Sequence, residues 1–269
     1  MTFSLGPRAR SAGYGLASFD SIGSTNAEAL ARARGGESGP IWLVTSEQTA
    51  GRGRRHRPWI APRGNLASSI LELMDISPAV AATLGFAAGL ALEQALRQIS
   101  VEASLRSAGL DSMNFLLKWP NDVLCGHGKL AGILLEAEVV ADRLAVVVGI
   151  GTNVVAAPEG TPTPATSLKA LGVDVGAEDL FGVLSDAWAE YRGVWDNGRG
   201  VGEIRGKWLE RAAGLGQPVS VQSGASTVTG TFDTIDDAGC LIVATAEGRR
   251  VPISAGDVYF GSAASAGAA

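Results

Sequence analysis

The chain has 269 residues, of which 46% are hydrophobic, 18% charged and 6% aromatic, with a formal net charge of −5. Charged residues are few and the 36 glycines numerous, so there is enough apolar residue for a core, and disorder is excluded for most of the chain. The length suits one sizeable domain or a larger and a smaller one, and the longest apolar stretch, 80–92, is closed by Glu93, short of the roughly 18 residues that a bilayer span requires.

The first residues lack the apolar core and small-residue cleavage site of a secretory signal. A short strand is expected at Gly15–Phe19, and Thr25 with Glu28 three residues later forms a capping-box pattern that opens a helix running to Arg34. Strands are expected at Ile41–Thr45 and 65–73, with a Gly/Arg-rich loop between them. Pro78 precedes an apolar-periodic segment, 80–99, in which Ala81, Ala82, Ala87, Ala88 and Ala91 allow close packing; it reads as a core helix. Strands follow at Phe115–Lys118, 123–125, 130–139 and 144–150, the second and third joined by a Gly126-His127-Gly128 turn. Proline and threonine mark 156–166 as a loop, and helices are expected over Ala177–Trp195 and 201–213. After Gly214 come short β-rich runs at 219–222, 228–235, 240–245 and 250–253. The expected organisation is a main domain over 1–214, a small all-β domain over 215–262 and a disordered tail over 263–269.

Cys125 and Cys240 are far apart and, with only His56 and His127 besides, give no structural-zinc spacing. A reducing, cytoplasmic setting is the simplest reading. The acidic total argues against a general nucleic-acid binder.

Between Glu47 and Glu72 there is no acidic residue, yet Arg52, Arg54, Arg55, Arg57 and Arg63 all fall there. Glycine-spaced guanidinium groups can approach phosphate or carboxylate oxygens closely. A solvated loop, or single-strand binding aided by Trp59, are the alternatives on charge alone. KWPND, residues 118–122, sets a cation, an indole, an amide and a carboxylate at a strand end, a polar density that favours function over a simple turn. Lys129, seven residues beyond Asp122, is brought back toward Asn121 and Asp122 by hairpin geometry. GIGTN, residues 149–153, fails the dinucleotide fingerprint because Val154 stands at the third glycine position. Its glycines let a ligand lie against the strand end, or make a turn with a bulge.

In order, SIGSTNAEAL (21–30), EQTAGRGRRHRPW (47–59), KWPNDV (118–123), GKLAGILLE (128–136) and GIGTNV (149–154) resemble the motifs of the biotin protein ligases, the biotin-[acetyl-CoA-carboxylase] ligase family. The resemblance implies an α+β fold: a mixed-sheet catalytic domain related to class II aminoacyl-tRNA synthetases, then a small SH3-like β-barrel. It implies activation of biotin by ATP to biotinyl-5′-AMP, then transfer to a lysine of a biotin carboxyl carrier protein, with Mg²⁺ accompanying ATP but no evident ligand cage. By the resemblance, Lys129, Arg54 and Asp122 are catalytic. Ser24, Thr25, Asn26, Gln48, Gly51, Arg52, Gly53, Arg54, Lys129, Gly132 and Gly149 hold biotin. Arg52, Arg54, Arg57, Trp59, Lys118, Asn121, Lys129 and Asn153 hold ATP. His56 stands where many members have glycine and Pro58 where a basic residue is common. Some members carry an N-terminal helix-turn-helix domain; about fifteen residues before the first strand leave no room for one, so a ligase without repressor activity is expected. No nucleic-acid or membrane partner is expected, and pairing of two copies through a sheet edge stays open. Lipoate- and octanoate-attaching enzymes are the near rival, but they show an Arg-Ser-Gly-rich motif with histidine in place of GRGRR and lack KWPND.

Overall fold

A computed structural model describes residues 2–107, 113–161 and 163–260. The expected disordered tail at 263–269 lies outside them. The first element, missed in the sequence, is the one-turn helix α1 (Pro7–Ser11). Then come β1 (Gly15–Phe19), α2 (Thr25–Arg34), β2 (Ile41–Thr45), β3 (Leu66–Met74), α3 (Pro78–Ala82) and α4 (Leu84–Ser107). They are followed by β4 (Phe115–Lys118), β5 (Asp122–Cys125), β6 (Gly128–Val140), β7 (Arg143–Thr152), α5 (Ala177–Trp195) and α6 (Val201–Leu209). The chain ends in β8 (Pro218–Ser223), β9 (Ser226–Ile235), β10 (Leu241–Ala244), β11 (Arg250–Ile253) and β12 (Asp257–Phe260), the last of them unforeseen.

The first seven strands form one mixed sheet in the order β1-β2-β3-β7-β6-β5-β4. Only β1 and β2 are parallel, with α2 as their crossover. Central strands bury both faces, which is why they read as unbroken apolar runs. In β2, Trp42 and Val44 face the core under α4 and α5, while Leu43 faces Ala29 and Ala33 of α2. In β7, Val146, Val148 and Ile150 join the first cluster, and Ala145 and Val147 the second.

The expected helix over 80–99 is two helices, and the second runs further. Between them, the Thr83 hydroxyl donates to the Val80 carbonyl at 2.7 Å and accepts from Trp195 Nε1 at 2.8 Å, so the side chain closes one turn and anchors α5. The stretch Pro78–Leu105 is long and apolar enough by composition to cross a bilayer, but most of it is buried inside the fold. Glu93 in its middle is 1% exposed and is paired with Arg97 and, at 3.0 Å, with Arg211. The expected capping residue also shifts: Ser24, not Thr25, is the N-cap of α2, and Glu28 pairs with Arg32.

The last five strands form a separate antiparallel sheet ordered β11-β10-β9-β8-β12, and no pairing closes β11 onto β12 among the described residues. Trp119, from KWPND, joins the two sheets: its buried indole N–H donates to the Gly239 carbonyl at 3.0 Å. The Trp119–Pro120 peptide bond is cis.

Helix α5 is fastened to the sheet through Glu72 in β3, which accepts from the Tyr14 hydroxyl at 2.9 Å and from Arg192 Nε at 2.8 Å. Trp188 Nε1 donates to that same hydroxyl at 2.9 Å. Burial, then the Glu72 charge, pushes the Tyr14 phenol up, so it stays a donor. Removing one partner of a buried ion pair strands the other; Glu72→Ala is expected to lower stability by about 3 kcal/mol in denaturant unfolding.

Candidate functional site

A cavity of about 450 Å³ opens where the N-terminus of α2, the arginine loop and strands β3, β6 and β7 meet the edge strand β12. It has a neutral polar wall and a cationic one.

The polar wall comes from the start of α2. Gln48 Oε1 accepts from the Thr25 backbone N–H at 2.8 Å and lies 3.1 Å from its hydroxyl. The Asn26 amide donates to Glu136 Oε2 at 2.8 Å and to the Leu134 carbonyl at 3.3 Å. The Ser69 hydroxyl lies 2.6 Å from Asn26 Oδ1 and 2.7 Å from Thr25 Oγ1. These bonds fix the amide's orientation, which sequence reasoning assigned to Asn26 without seeing Ser69 or Glu136. Gly149 makes the arrangement fit, since a Cβ there would stand 2.2 Å from Asn26 Oδ1. Ser24 accepts from the Ala27 N–H at 3.4 Å, and neither its hydroxyl proton nor the Gln48 amide N–H groups have a partner among the described residues.

The cationic wall is carried by the β5–β6 hairpin and the arginine loop. A two-residue turn, with Gly126 at φ +57°, returns the chain so that Lys129 Nζ meets Asp122 Oδ1 at 2.6 Å, as the hairpin argument expected. Arg54 Nη1 donates to Asn121 Oδ1 at 3.1 Å, and the Asn121 amide donates to the Ile133 carbonyl at 2.8 Å. Burial lowers the Arg54 guanidinium from its ordinary value; Asp257 and Asp122 oppose that, and Arg55 and Arg57 reinforce it. Arg52 lies 3.5 Å from Glu136. Trp59 lies across the cross-strand glycine pair Gly132 and Gly151, where a Cβ would meet the ring at 3.1 and 2.7 Å, and Lys129 Nζ stands 5.5 Å from the ring centroid. Trp59 Nε1 and Asn153 Oδ1 are buried without a partner among the described residues, a polar pair left for something in the cavity. The Asn153 amide donates to the Thr166 carbonyl at 3.1 Å.

Arg52, Gly53, Arg54 and Arg57 line the cavity with these groups. Two expected site residues do not. Gly51 sits behind Trp59, where a Cβ would stand 2.6 Å from the Trp59 carbonyl. Lys118 lies 5.6 Å from the Phe260 ring, and burial pushes its amine down. Conversely, Asp257 and Tyr259 of β12 line the cavity, as do Pro158, Thr161 and Thr163 of the long loop. The sequence did not single out Asp257; the lack of any acid between Glu47 and Glu72 is the one sign that a distant carboxylate is needed. Burial pushes the Asp257 carboxyl up, but the hydrogen bond and charge of Arg57, with Arg55 and Arg54, outweigh it and hold the group below the usual carboxylate range. The described residues contain no cluster of three or more His, Cys, Asp or Glu suited to a metal ion.

A pocket that joins fixed amides to converging cations suits an anionic ligand with a hydrogen-bonding head. The profile of the Biotin/lipoate A/B protein ligase family matches residues 20–153, and that of the Biotin protein ligase C terminal domain matches 214–261. A "Biotin--[acetyl-CoA-carboxylase] ligase" of Paracoccus denitrificans is 40% identical over 245 residues, 88% of this chain and 97% of that one. Its namesake in Mycobacterium tuberculosis is 37% identical over 259 residues, 92% and 90% of the two chains. The solved biotin protein ligase of Aquifex aeolicus in complex with biotin and ATP superposes with a TM-score of 0.73 at 25% identity, covering 92% of this chain and 99% of that one. The chain belongs to the biotin protein ligase family, as a ligase of the biotin-[acetyl-CoA-carboxylase] type.

Because Gly149 has no room for a side chain, Gly149→Ala is expected to displace the Asn26 amide and lower stability by about 1–3 kcal/mol, read as a shifted denaturant midpoint.

Proposed function

We propose that the enzyme joins biotin to ATP in this cavity, forming biotinyl-5′-AMP and pyrophosphate, and then passes the biotinyl group to a lysine amine of a biotin carboxyl carrier protein, forming the amide and releasing AMP. The observation that carries the reading is the convergence of Lys129, Arg52, Arg54 and Arg57 beside a neutral polar wall. In the first step a carboxylate oxygen attacks the α-phosphorus and the bond to the leaving pyrophosphate breaks. Two anions 4 Å apart repel by about 4 kcal/mol at an effective dielectric of about 20, so cations must stand where they meet. Lys129, in the cationic wall and held by Asp122 at 2.6 Å, takes that role. Arg54, tied to Asn121, takes the phosphate beside it. Asp122 is then free to orient the incoming lysine amine once Lys129 turns to the anions.

Ser24, Thr25, Asn26 and Gln48 supply donors and acceptors for the ureido ring, with Gly132 and Gly149 allowing close approach. Trp59 and Asn153, each with an unpartnered polar atom, serve the nucleotide. Lys118 and Gly51, outside the cavity wall, act through Phe260 and Trp59 respectively. Mg²⁺ is expected to accompany ATP, but Asp122 and Asp257 are both engaged by cations and make no cage, so no step is assigned to it. Engagement of the loop arginines by Glu136, Asn121 and Asp257 favours a discrete anion site over a nucleic-acid surface. Two free cysteines, Cys125 buried, suit a reducing, cytoplasmic compartment.

Incubating the protein with Mg-ATP and, separately, biotin, lipoate or octanoate distinguishes the readings by pyrophosphate release and mass spectrometry of the acyl-adenylate. Biotinyl-5′-AMP alone supports the proposal, and adenylate from another acid redirects it. Lys129→Ala is expected to slow adenylate formation by about 10²–10³-fold, the range for losing one preorganised charge donor, with the fold intact by circular dichroism. Normal turnover in that variant removes the central assignment.

A further inference from the structure

The arginine loop has no acidic residue of its own; Glu136 of the main sheet stands by Arg52, and the anion that holds Arg55 and Arg57 comes from the other sheet. Asp257 Oδ2 accepts from Arg57 Nη2 at 2.8 Å and from Arg55 Nη1 at 3.0 Å. Asp257 is set by β12, where it pairs with Gln222 of β8, so its position does not depend on the loop it grips. It shares a strand face with Tyr259, and both line the cavity. Arg55 has φ +55°, a left-handed conformation that a non-glycine residue keeps only where its surroundings hold it. Arg54, beside it, reaches back to Asn121 in the main domain. The loop is therefore pinned to both sheets at adjacent residues.

We propose that Asp257 is a positioning residue that latches the arginine loop to the C-terminal sheet, holding Arg55 and Arg57 beside the cavity before an anionic nucleotide arrives. Each guanidinium has five N–H donors and gives Asp257 one, so donors remain for phosphate oxygens. The latch reduces the conformational entropy that the loop must give up when it orders around the triphosphate. The C-terminal sheet thereby takes part in nucleotide binding through the loop. The nucleotide as ligand rests on the function proposed above; the latch itself does not.

The test compares Asp257→Asn and Asp257→Glu with the parent enzyme in two measurements. The first is the rate of tryptic cleavage within 51–58 without ligands; the second is the KM for ATP against kcat in adenylate formation. The expected result is about tenfold faster cleavage in Asp257→Asn and a KM for ATP raised by a similar factor, as for the loss of about 1.4 kcal/mol, with kcat little changed. Asp257→Glu, which keeps the charge, is expected to recover most of both. Unchanged cleavage in Asp257→Asn overturns the latch, and faster cleavage with an unchanged KM overturns its role in nucleotide binding. Equal impairment of both variants with a lowered melting temperature assigns Asp257 to stability alone and also overturns the proposal. Should no acid be adenylated while cleavage still accelerates, the latch stands and the functional reading fails.

Discussion

Positive charge has to be crowded into a half-buried pocket before any substrate anion is present to accept it. At the separations found here, like charges repel by several kcal/mol in a medium of intermediate dielectric. The chain resolves this with carboxylates drawn from three strands: Asp122 in β5 holds Lys129, Glu136 in β6 stands by Arg52, and Asp257 in β12 holds Arg55 and Arg57. Each cation is thus held at or beside the cavity and partly neutralised in advance. Exchange of a carboxylate for a substrate oxygen then needs only a rotation of a side chain already in place, which keeps reorganisation small.

The long paired strands β6 and β7 divide their labour along their length. Away from the cavity β7 carries valine and alanine packed on both faces, with Val146, Val147 and Val148 almost wholly buried. Toward the cavity the same pair carries Gly132, Gly149 and Gly151, where a side chain would collide with Trp59 or Asn26. Glycine weakens a strand by its entropy and its lack of packing. The apolar half supplies the stability that the glycine half gives up in order to leave a bare floor.

Local chemistry made much of this legible in the sequence. Strand limits in β1, β2 and β4 follow from apolar runs between turn residues, and the Lys129–Asp122 pair follows from a two-residue hairpin turn. What stayed hidden depends on long-range partners. The break at Thr83 needs the indole of Trp195 to be known, and the choice of Ser24 over Thr25 as N-cap needs Gln48, which engages Thr25 instead. KWPND read as a functional motif and the resemblance put Lys118 in the site, yet Trp119 bonds to Gly239 and Lys118 faces Phe260, both in the C-terminal segment. A motif can mark a joint between domains as well as a ligand contact, and short-range pattern does not separate the two. Asp257 is the converse, a lone acid about two hundred positions from the arginines it holds.

The polar wall also bears on which acid the pocket suits. Asn26 is locked by Glu136, Leu134 and Ser69, and Thr25 by Gln48 and Ser69, so these groups present fixed donors and acceptors. The Ser24 hydroxyl proton and the Gln48 amide N–H groups have no partner among the described residues, and both residues line the cavity. A ureido ring, with one carbonyl and two N–H groups, can answer them. A dithiolane ring or a plain alkyl chain would bury the same groups without partners, at about 1–3 kcal/mol for each unsatisfied group. A site built to hydrogen-bond its ligand rejects analogues lacking those groups far more strongly than an apolar pocket rejects a missing methylene. On the function proposed above, the wall's chemistry would discriminate biotin from lipoate and octanoate before the reacting carboxylate, which all three acids share, comes into play.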